Sequence, residues 1–139
     1  MELYIKEIKH LFSKGSNLSD DLCFNSSDIS IDSRTVQTNQ IFITIKGENF
    51  DGNNFIQEVL KINPLFIISE KKIDNQIPYA HVDSGKQFLI DLAKLIIGKT
   101  SSKKIAITGS NGKTTTKNLI THFLRHKVGD QDVAATFGN

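Results

Sequence analysis

The segment Gly109-Ser110-Asn111-Gly112-Lys113-Thr114-Thr115 carries the most specific chemistry in the chain. Gly109 and Gly112 permit backbone conformations that a Cβ forbids, so successive amide N–H groups can converge on phosphate oxygens. Lys113 can reach back over such a turn to β- and γ-phosphates. The Thr114 hydroxyl, with Thr115 secondary, can ligate Mg²⁺. Lys113 is therefore the candidate catalytic residue, neutralising charge that builds on a transferring phosphoryl group. The spacing departs from G-x-x-x-x-G-K-[ST]: Ile107 occupies the first glycine position, leaving the shorter G-x-x-G-K-T. A glycine-capped helix start with an ordinary surface lysine is the plainer alternative. The flanking sequence favours the phosphate site, although the loop alone does not separate kinase, GTPase, ATPase and ligase.

Such a loop must be positioned by a strand that enters it and a helix that leaves it. Ile105 to Thr108 reads as a buried-type strand, and Leu119, Ile120, Phe123 and Leu124 mark one face of a helix starting near Lys113. That helix adds the positive end of its dipole to the site. Upstream, Tyr4, Ile5, Ile8, Leu11 and Phe12 predict a helix over the first twelve residues. Strands are predicted at Asp28 to Asp32, Ile41 to Ile45, Leu65 to Ser69 and Tyr79 to Val82. Phe55, Ile56, Val59 and Leu60 predict one helix. Phe88, Leu89, Leu92, Ala93, Ile96 and Ile97 predict another between Ser84 and Gly98. Asp132 to Ala135 reads as a last strand. The alternation is that of an α/β protein, and Thr100 to Lys104 is the best linker.

Composition narrows the class further. Apolar residues are 38% of the chain and charged residues 23%, enough for a packed core. Seventeen Lys and Arg against fifteen Asp and Glu give a net charge of +2, too even to indicate nucleic acid or a membrane surface. The strongly apolar run Leu65 to Ile68 is far short of the roughly 20 residues that span a bilayer. Cys23 stands alone, which excludes an intrachain disulfide and fits a reducing cytoplasm. It reads as a packing residue or an inert thiol. His122 and His126 have metal-ligand spacing but no third ligand in sequence, and read as exposed. Phe50 and Phe55 read as core and loop anchors rather than as platforms for a base.

Thr108 to Lys117 closely resembles the ATP loop of the Mur ligases, the amide-forming enzymes of peptidoglycan synthesis. Asp32-Ser33-Arg34, Ile41-Phe42-Ile43 and Lys46-Gly47-Glu48-Asn49-Phe50-Asp51-Gly52 resemble their amino-terminal domain, and Thr136-Phe137-Gly138-Asn139 their T-x-G-N segment. Asn53-Asn54 depart from the histidine and acidic residue common after Asp-Gly, and Asp83-Ser84 stands where Asp-Thr is usual. The resemblance implies a small α/β domain over residues 1–100 that binds a UDP-sugar peptide, then residues 101–139 as the first strand, P-loop and helix of a truncated ATP-binding domain. It implies Gly109, Ser110, Asn111, Gly112, Lys113, Thr114 and Thr115 as ATP contacts, Thr114 also meeting the metal. Ser33, Arg34, Lys46, Gly47, Asp51 and Gly52 become UDP-sugar contacts, a guanidinium being suited to a diphosphate. The residues alone leave another reading open, in which Asp32 and Arg34 form a local ion pair and Asp51-Gly52 is a simple turn.

Ser110-Asn111 with Lys117 is most like the branch that adds D-alanyl-D-alanine to UDP-N-acetylmuramoyl-tripeptide, with ATP and Mg²⁺ as cofactors. The alternatives are the branch that adds the third amino acid, and a UDP-sugar-binding module without catalysis. A cytoplasmic monomer is expected, with no nucleic-acid partner and no membrane insertion. Only 26 residues follow Lys113, so the second piece is expected to be inactive alone, with Ile105, Ile107, Phe123 and Leu124 uncovered.

Overall fold

The computed structural model describes residues 1–48, 50–73 and 77–136, and the chain divides into two compact units, Met1–Thr100 and Ser101–Asn139. The first unit is built on four short parallel strands in sequential order: β3 (Ile29–Ser30), β4 (Ile41–Ile43), β5 (Phe66–Ser69) and β6 (Tyr79–His81). The registers are Ile29 opposite Ile41, Phe42 opposite Ile67 and Ile68 opposite Ala80. These strands are nearly continuous apolar runs because both faces of the sheet are covered. Ile41, Ile43, Phe66, Ile68, Ala80 and Val82 point to one face, and Phe42, Ile67 and Tyr79 to the other.

The two faces are covered by different parts of the chain. Val36 comes from the β3–β4 connection and Ile73 from the β5–β6 connection. Ile56 and Val59 come from helix α2 (Ile56–Leu60), which joins β4 to β5, so all three connections pack on the Phe42 face. That is the outcome when sequential parallel strands are joined by crossovers of one hand. The opposite face receives helix α3 (Gly85–Lys99) through Phe88 and Leu92, together with the amino-terminal segment through Leu3, Ile5, Ile8, Phe12 and Phe24. Each such burial contributes about 1.5–3 kcal/mol. The Phe12 and Phe88 rings stack at 5.9 Å, and Lys99 pairs with Glu7.

The amino terminus differs from its sequence reading. Glu2–Tyr4 is a strand, β1, paired antiparallel with β2 (Cys23–Asn25), and only Ile5–Ile8 forms an α-helix, α1. Helical spacing of Ile5, Ile8 and Phe12 persists, but Leu3 is buried through the strand pairing. Cys23 is exposed and its neighbour Phe24 does the packing.

In the second unit, α4 (Lys113–Val128) forms as predicted, with basic residues in its last turn. Ile105 to Thr108 does not form a strand, nor does Asp132 to Ala135, where a 3₁₀ turn at Asp130–Asp132 leads into irregular chain. A strand exists only through its ladder, and this unit contains no strand pair among the described residues. None of its described residues is fully buried. Ile105 is 60% and Phe123 67% exposed, while Ile107 and Leu124 are partly covered. Phe137-Gly138-Asn139 and Asn49 lie outside the described residues.

Candidate functional site

The glycine-rich turn has the backbone its sequence implies. Gly109 has φ 150° and Gly112 φ 75° with ψ 0°, the left-handed region where a side chain is disfavoured. Gly112 is the residue on which α4 starts, and its carbonyl accepts from Thr116 N at 2.9 Å. Lys113 folds back over the turn: its Nζ donates to Gly109 O at 2.7 Å and lies 3.4 Å from Ser110 O. The ammonium is thus held over the loop mouth by carbonyls that a stronger, anionic acceptor could replace. Ser110, Asn111, Thr114 and Thr115 are exposed around it. Thr114 also borders a cleft of about 930 Å³ along α4, with Lys117, Thr121, His122, Arg125 and Thr136 among its walls. Lys117 Nζ donates to Thr136 O at 2.8 Å across it. His126 lines the same cleft, but no group of three His, Cys, Asp or Glu able to hold a metal occurs among the described residues.

In the first unit, both predicted sugar-nucleotide segments follow the carboxyl ends of adjacent strands, the edge where open α/β sheets bind ligands. After β3, Asp32 closes an Asx turn, accepting from Arg34 N at 3.0 Å, and Thr35 N and Val36 N bond back to Asp32 O. The Arg34 guanidinium grips the same carboxylate bidentately, Nε–Oδ1 at 2.9 Å and Nη2–Oδ2 at 2.6 Å. Those hydrogen bonds to Arg34 lower the Asp32 pKa to about 2, and the carboxylate in turn raises that of Arg34. The local ion pair left open by the sequence therefore forms. It does not remove Arg34 from reach, because the side chain is 85% exposed and spends two of its N–H groups on Asp32. Ser33 beside it is half-buried.

After β4 the chain turns back on itself: Lys46 and Asp51 form an antiparallel backbone bridge, Gly47 N donates to Phe50 O at 2.7 Å, and Gly52 N donates to Ile45 O at 2.9 Å. Gly52 is obligatory, since a Cβ there would stand 2.9 Å from Ile45 N. Asp51 Oδ1 accepts from Asn53 N at 2.9 Å and from Asn53 Nδ2 at 2.6 Å, and these bonds lower its pKa below the usual carboxylate range, helped by Lys71 at 3.5 Å. Asn53 was absent from the sequence-derived set, yet it is buried and anchors Asp51. Its Oδ1 accepts from Ser69 Oγ at 3.2 Å, tying this segment to the end of β5. The Asp-Gly-Asn departure is thus a structural joint.

The start of α3 closes this edge. Ser84 caps it, accepting from Gln87 N at 3.3 Å, and Glu70 after β5 accepts from Gly85 N at 2.8 Å. A carboxylate already occupies the positive end of this helix, so an anionic ligand is not needed there.

A glycine-hinged turn with a lysine folded over it thus stands at the start of α4. Residues 107–139 match the Mur ligase middle domain. The chain is 36% identical over 107 residues to the UDP-N-acetylmuramoyl-L-alanyl-D-glutamate–2,6-diaminopimelate ligase of Listeria monocytogenes, covering 76% of this chain and 22% of that protein. It is 34% identical over 110 residues to the UDP-N-acetylmuramoyl-tripeptide–D-alanyl-D-alanine ligase of Bacillus subtilis, covering 73% and 24%. The crystal structure of MurF ligase from Thermotoga maritima in complex with ADP superposes with a TM-score of 0.66 at 33% identity, covering 75% of this chain and 25% of that one. The chain belongs to the Mur ligase family. It spans about a quarter of the length of the relatives it matches. No helix among the described residues is long and apolar enough to cross a membrane.

Proposed function

We propose that this chain is the sugar-nucleotide-binding and phosphate-loop portion of a cytoplasmic, ATP-dependent amide ligase that adds D-alanyl-D-alanine to UDP-N-acetylmuramoyl-tripeptide. The observation that carries the proposal is Lys113 Nζ held over the Gly109–Gly112 turn at the head of α4. The similarity to D-alanyl-D-alanine ligases and the Ser110-Asn111 pair support the branch. A similar identity to the diaminopimelate-adding enzyme supports a second reading, addition of the third amino acid to the dipeptide.

In this proposal residues 1–100 hold the UDP end of the substrate, and residues 101–139 open the ATP-binding domain. The peptide carboxylate attacks the γ-phosphorus of ATP, ADP leaves, and an acyl phosphate results. The amine of the incoming dipeptide then attacks the acyl carbon and phosphate departs. The turn fits the nucleotide: its glycines open the backbone, and its ammonium rests on weak neutral acceptors. Gly109, Ser110, Asn111 and Gly112 present amides to the phosphates, and Lys113 exchanges its carbonyl contacts for β- and γ-oxygens. Thr114, on the exposed first turn, is the hydroxyl suited to Mg²⁺, with Thr115 beside it. Mg²⁺ supplies Lewis-acid stabilisation of the phosphoryl oxygens when bound. Ser33, Arg34, Lys46, Gly47, Asp51 and Gly52 line the sugar-nucleotide edge, where the free donors of Arg34 meet the diphosphate.

Calorimetric titration of the chain with UDP-N-acetylmuramoyl-tripeptide, the corresponding dipeptide and MgATP tests this. The tripeptide should bind more tightly than the dipeptide, and Lys113→Ala should abolish ATP binding without altering tripeptide binding. Preference for the dipeptide would transfer the proposal to the second reading. Failure to bind any of the three would sink both.

A further inference from the structure

We propose that the carboxyl-terminal half of the α4 cleft binds a small phosphate-bearing anion through His122, Arg125 and His126, separately from the phosphate loop. The near-neutral charge of the whole chain conceals a division. Six of the seventeen Lys and Arg but two of the fifteen Asp and Glu lie in residues 101–139, which carry +4 against −2 for residues 1–100. Within that unit α4 holds four of the cations and no acidic residue. Helical spacing sets Lys117, Thr121 and Arg125 in one row and His122 and His126 in the next, and all five line the cleft of about 930 Å³. That volume is in the range of small-molecule sites and exceeds what a bare ion needs.

The neighbours of the two histidines decide what they take. Their spacing suits a metal ion, but Lys117 and Arg125 in the same wall repel a cation and attract an anion. Lys117 Nζ is held by Thr136 O at 2.8 Å, and the Thr121 hydroxyl donates to Lys117 O at 2.7 Å, so the principal contact falls to Arg125. Asp130 is the acidic member of the wall. Its Oδ1 lies 3.9 Å from Arg125 Nε, beyond hydrogen-bond length, and its side chain is 86% exposed, so the pair is loose. A phosphate can replace that carboxylate on the planar guanidinium fork, with imidazole N–H groups donating from the neighbouring row. His122 to His126 lie about 14–20 Å further along the helix axis than Lys113, beyond a triphosphate seated in the loop.

The test is a titration of the 139-residue chain with inorganic pyrophosphate and with ribose 5-phosphate, following imidazole C–H signals by NMR and affinity by calorimetry. The signals of His122 and His126 should move, while those of His10 and His81 in the first unit stay. Arg125→Gln should weaken binding roughly tenfold, the equivalent of one charge-assisted hydrogen bond, and Asp130→Asn should tighten it. Affinity should rise from about pH 8 to about pH 6, as imidazoles gain protons beside Lys117, Arg125 and Asp130. Changing His122 and His126 together to Gln should remove the part of that rise due to the protein. All these side chains are exposed, so the variants should keep the helical signal of the parent in circular dichroism. A response to ribose 5-phosphate would make an organic phosphate the occupant, and one to pyrophosphate alone a free phosphate. If neither compound moves the His122 and His126 signals, or binding survives Arg125→Gln and the double change undiminished, the proposal is overturned. Loss of all binding in Lys113→Ala would also overturn it, by assigning the anion to the phosphate loop, whose own reading would stand.

Discussion

Gly85→Ala should be among the most damaging single-methyl additions to the first unit. An ideal Cβ at Gly85 would stand 1.8 Å from Thr44 O and 3.0 Å from Thr44 C. Ordinary contact begins near 3.4 Å, so α3 and the end of β4 would have to part by roughly 1.5 Å. Neither is free to move. Thr44 N donates to Ile68 O at 2.9 Å, Thr44 Oγ1 accepts from Glu70 N at 3.2 Å, and Gly85 N is held by Glu70. Overpacking against movable side chains costs about 1–3 kcal/mol, and here the obstacle is backbone, so at least about 3 kcal/mol is expected. For a unit of this size that lowers the melting temperature by roughly 12–24 °C. The control is Gly98→Ala in the same helix, where a Cβ meets nothing within 4 Å and should stabilise by about 0.5–1 kcal/mol. Thermal unfolding followed by circular dichroism at 222 nm, in 139-residue chains carrying each change, measures both. A Gly85→Ala chain melting within about 3 °C of the parent would refute the close-approach reasoning.

Three further outcomes follow from the same geometry. Asp32 is depressed to about 2, so its contribution to stability is fully present above the ordinary carboxylate range and is lost as pH falls through about 2. Carboxyl-detected NMR should show Arg34→Gln returning the Asp32 titration toward its ordinary value, and an unchanged titration would deny the pair its role. Gly112→Ala forces a Cβ into φ 75° and should cost about 1–2 kcal/mol in urea unfolding of α4, with Gly112→Asn milder. Asn53→Leu, which keeps the bulk and deletes the bonds to Asp51 and Ser69, should weaken UDP-sugar binding and raise the Asp51 pKa, whereas a purely space-filling Asn53 would leave both unchanged.

The legible parts of the fold were those whose signal is local. Ile41 to Ile43 and Phe66 to Ser69 are apolar on both faces and bounded by turns, and Ser84 with the Phe88–Leu92 spacing defines α3 almost to the residue. The pairing of Glu2–Tyr4 with Cys23–Asn25 was not legible, because three-residue strands about twenty positions apart carry no periodicity of their own, and the helical spacing across them belongs to Ile5 and Ile8. Ile105 to Thr108 and Asp132 to Ala135 have strand composition, but composition does not supply a neighbour to pair with. The backbone of the Gly109–Gly112 turn was legible in its two glycines, since positive φ is written directly in residue type. The Asp32–Arg34 pair was legible as one of two open readings, whereas the role of Asn53 was not. Asn53 acts through Ser69, sixteen residues on, a partner whose position depends on the folded edge.

The one-sided placement of the three sheet connections has a consequence for the order of synthesis. Among the described residues, the side chains that shield the Phe42 face lie between residues 36 and 77, and can assemble as they leave the ribosome. The Ile41–Ile43 face depends on Leu3, Ile5 and Ile8 from the beginning and on Phe88 and Leu92 from the other end of the unit. Leu3, Ile5 and Ile8 must therefore wait for Phe88 and Leu92 before their half of the core can close. Until α3 follows, that side of the sheet lacks the cover that Phe88 and Leu92 supply.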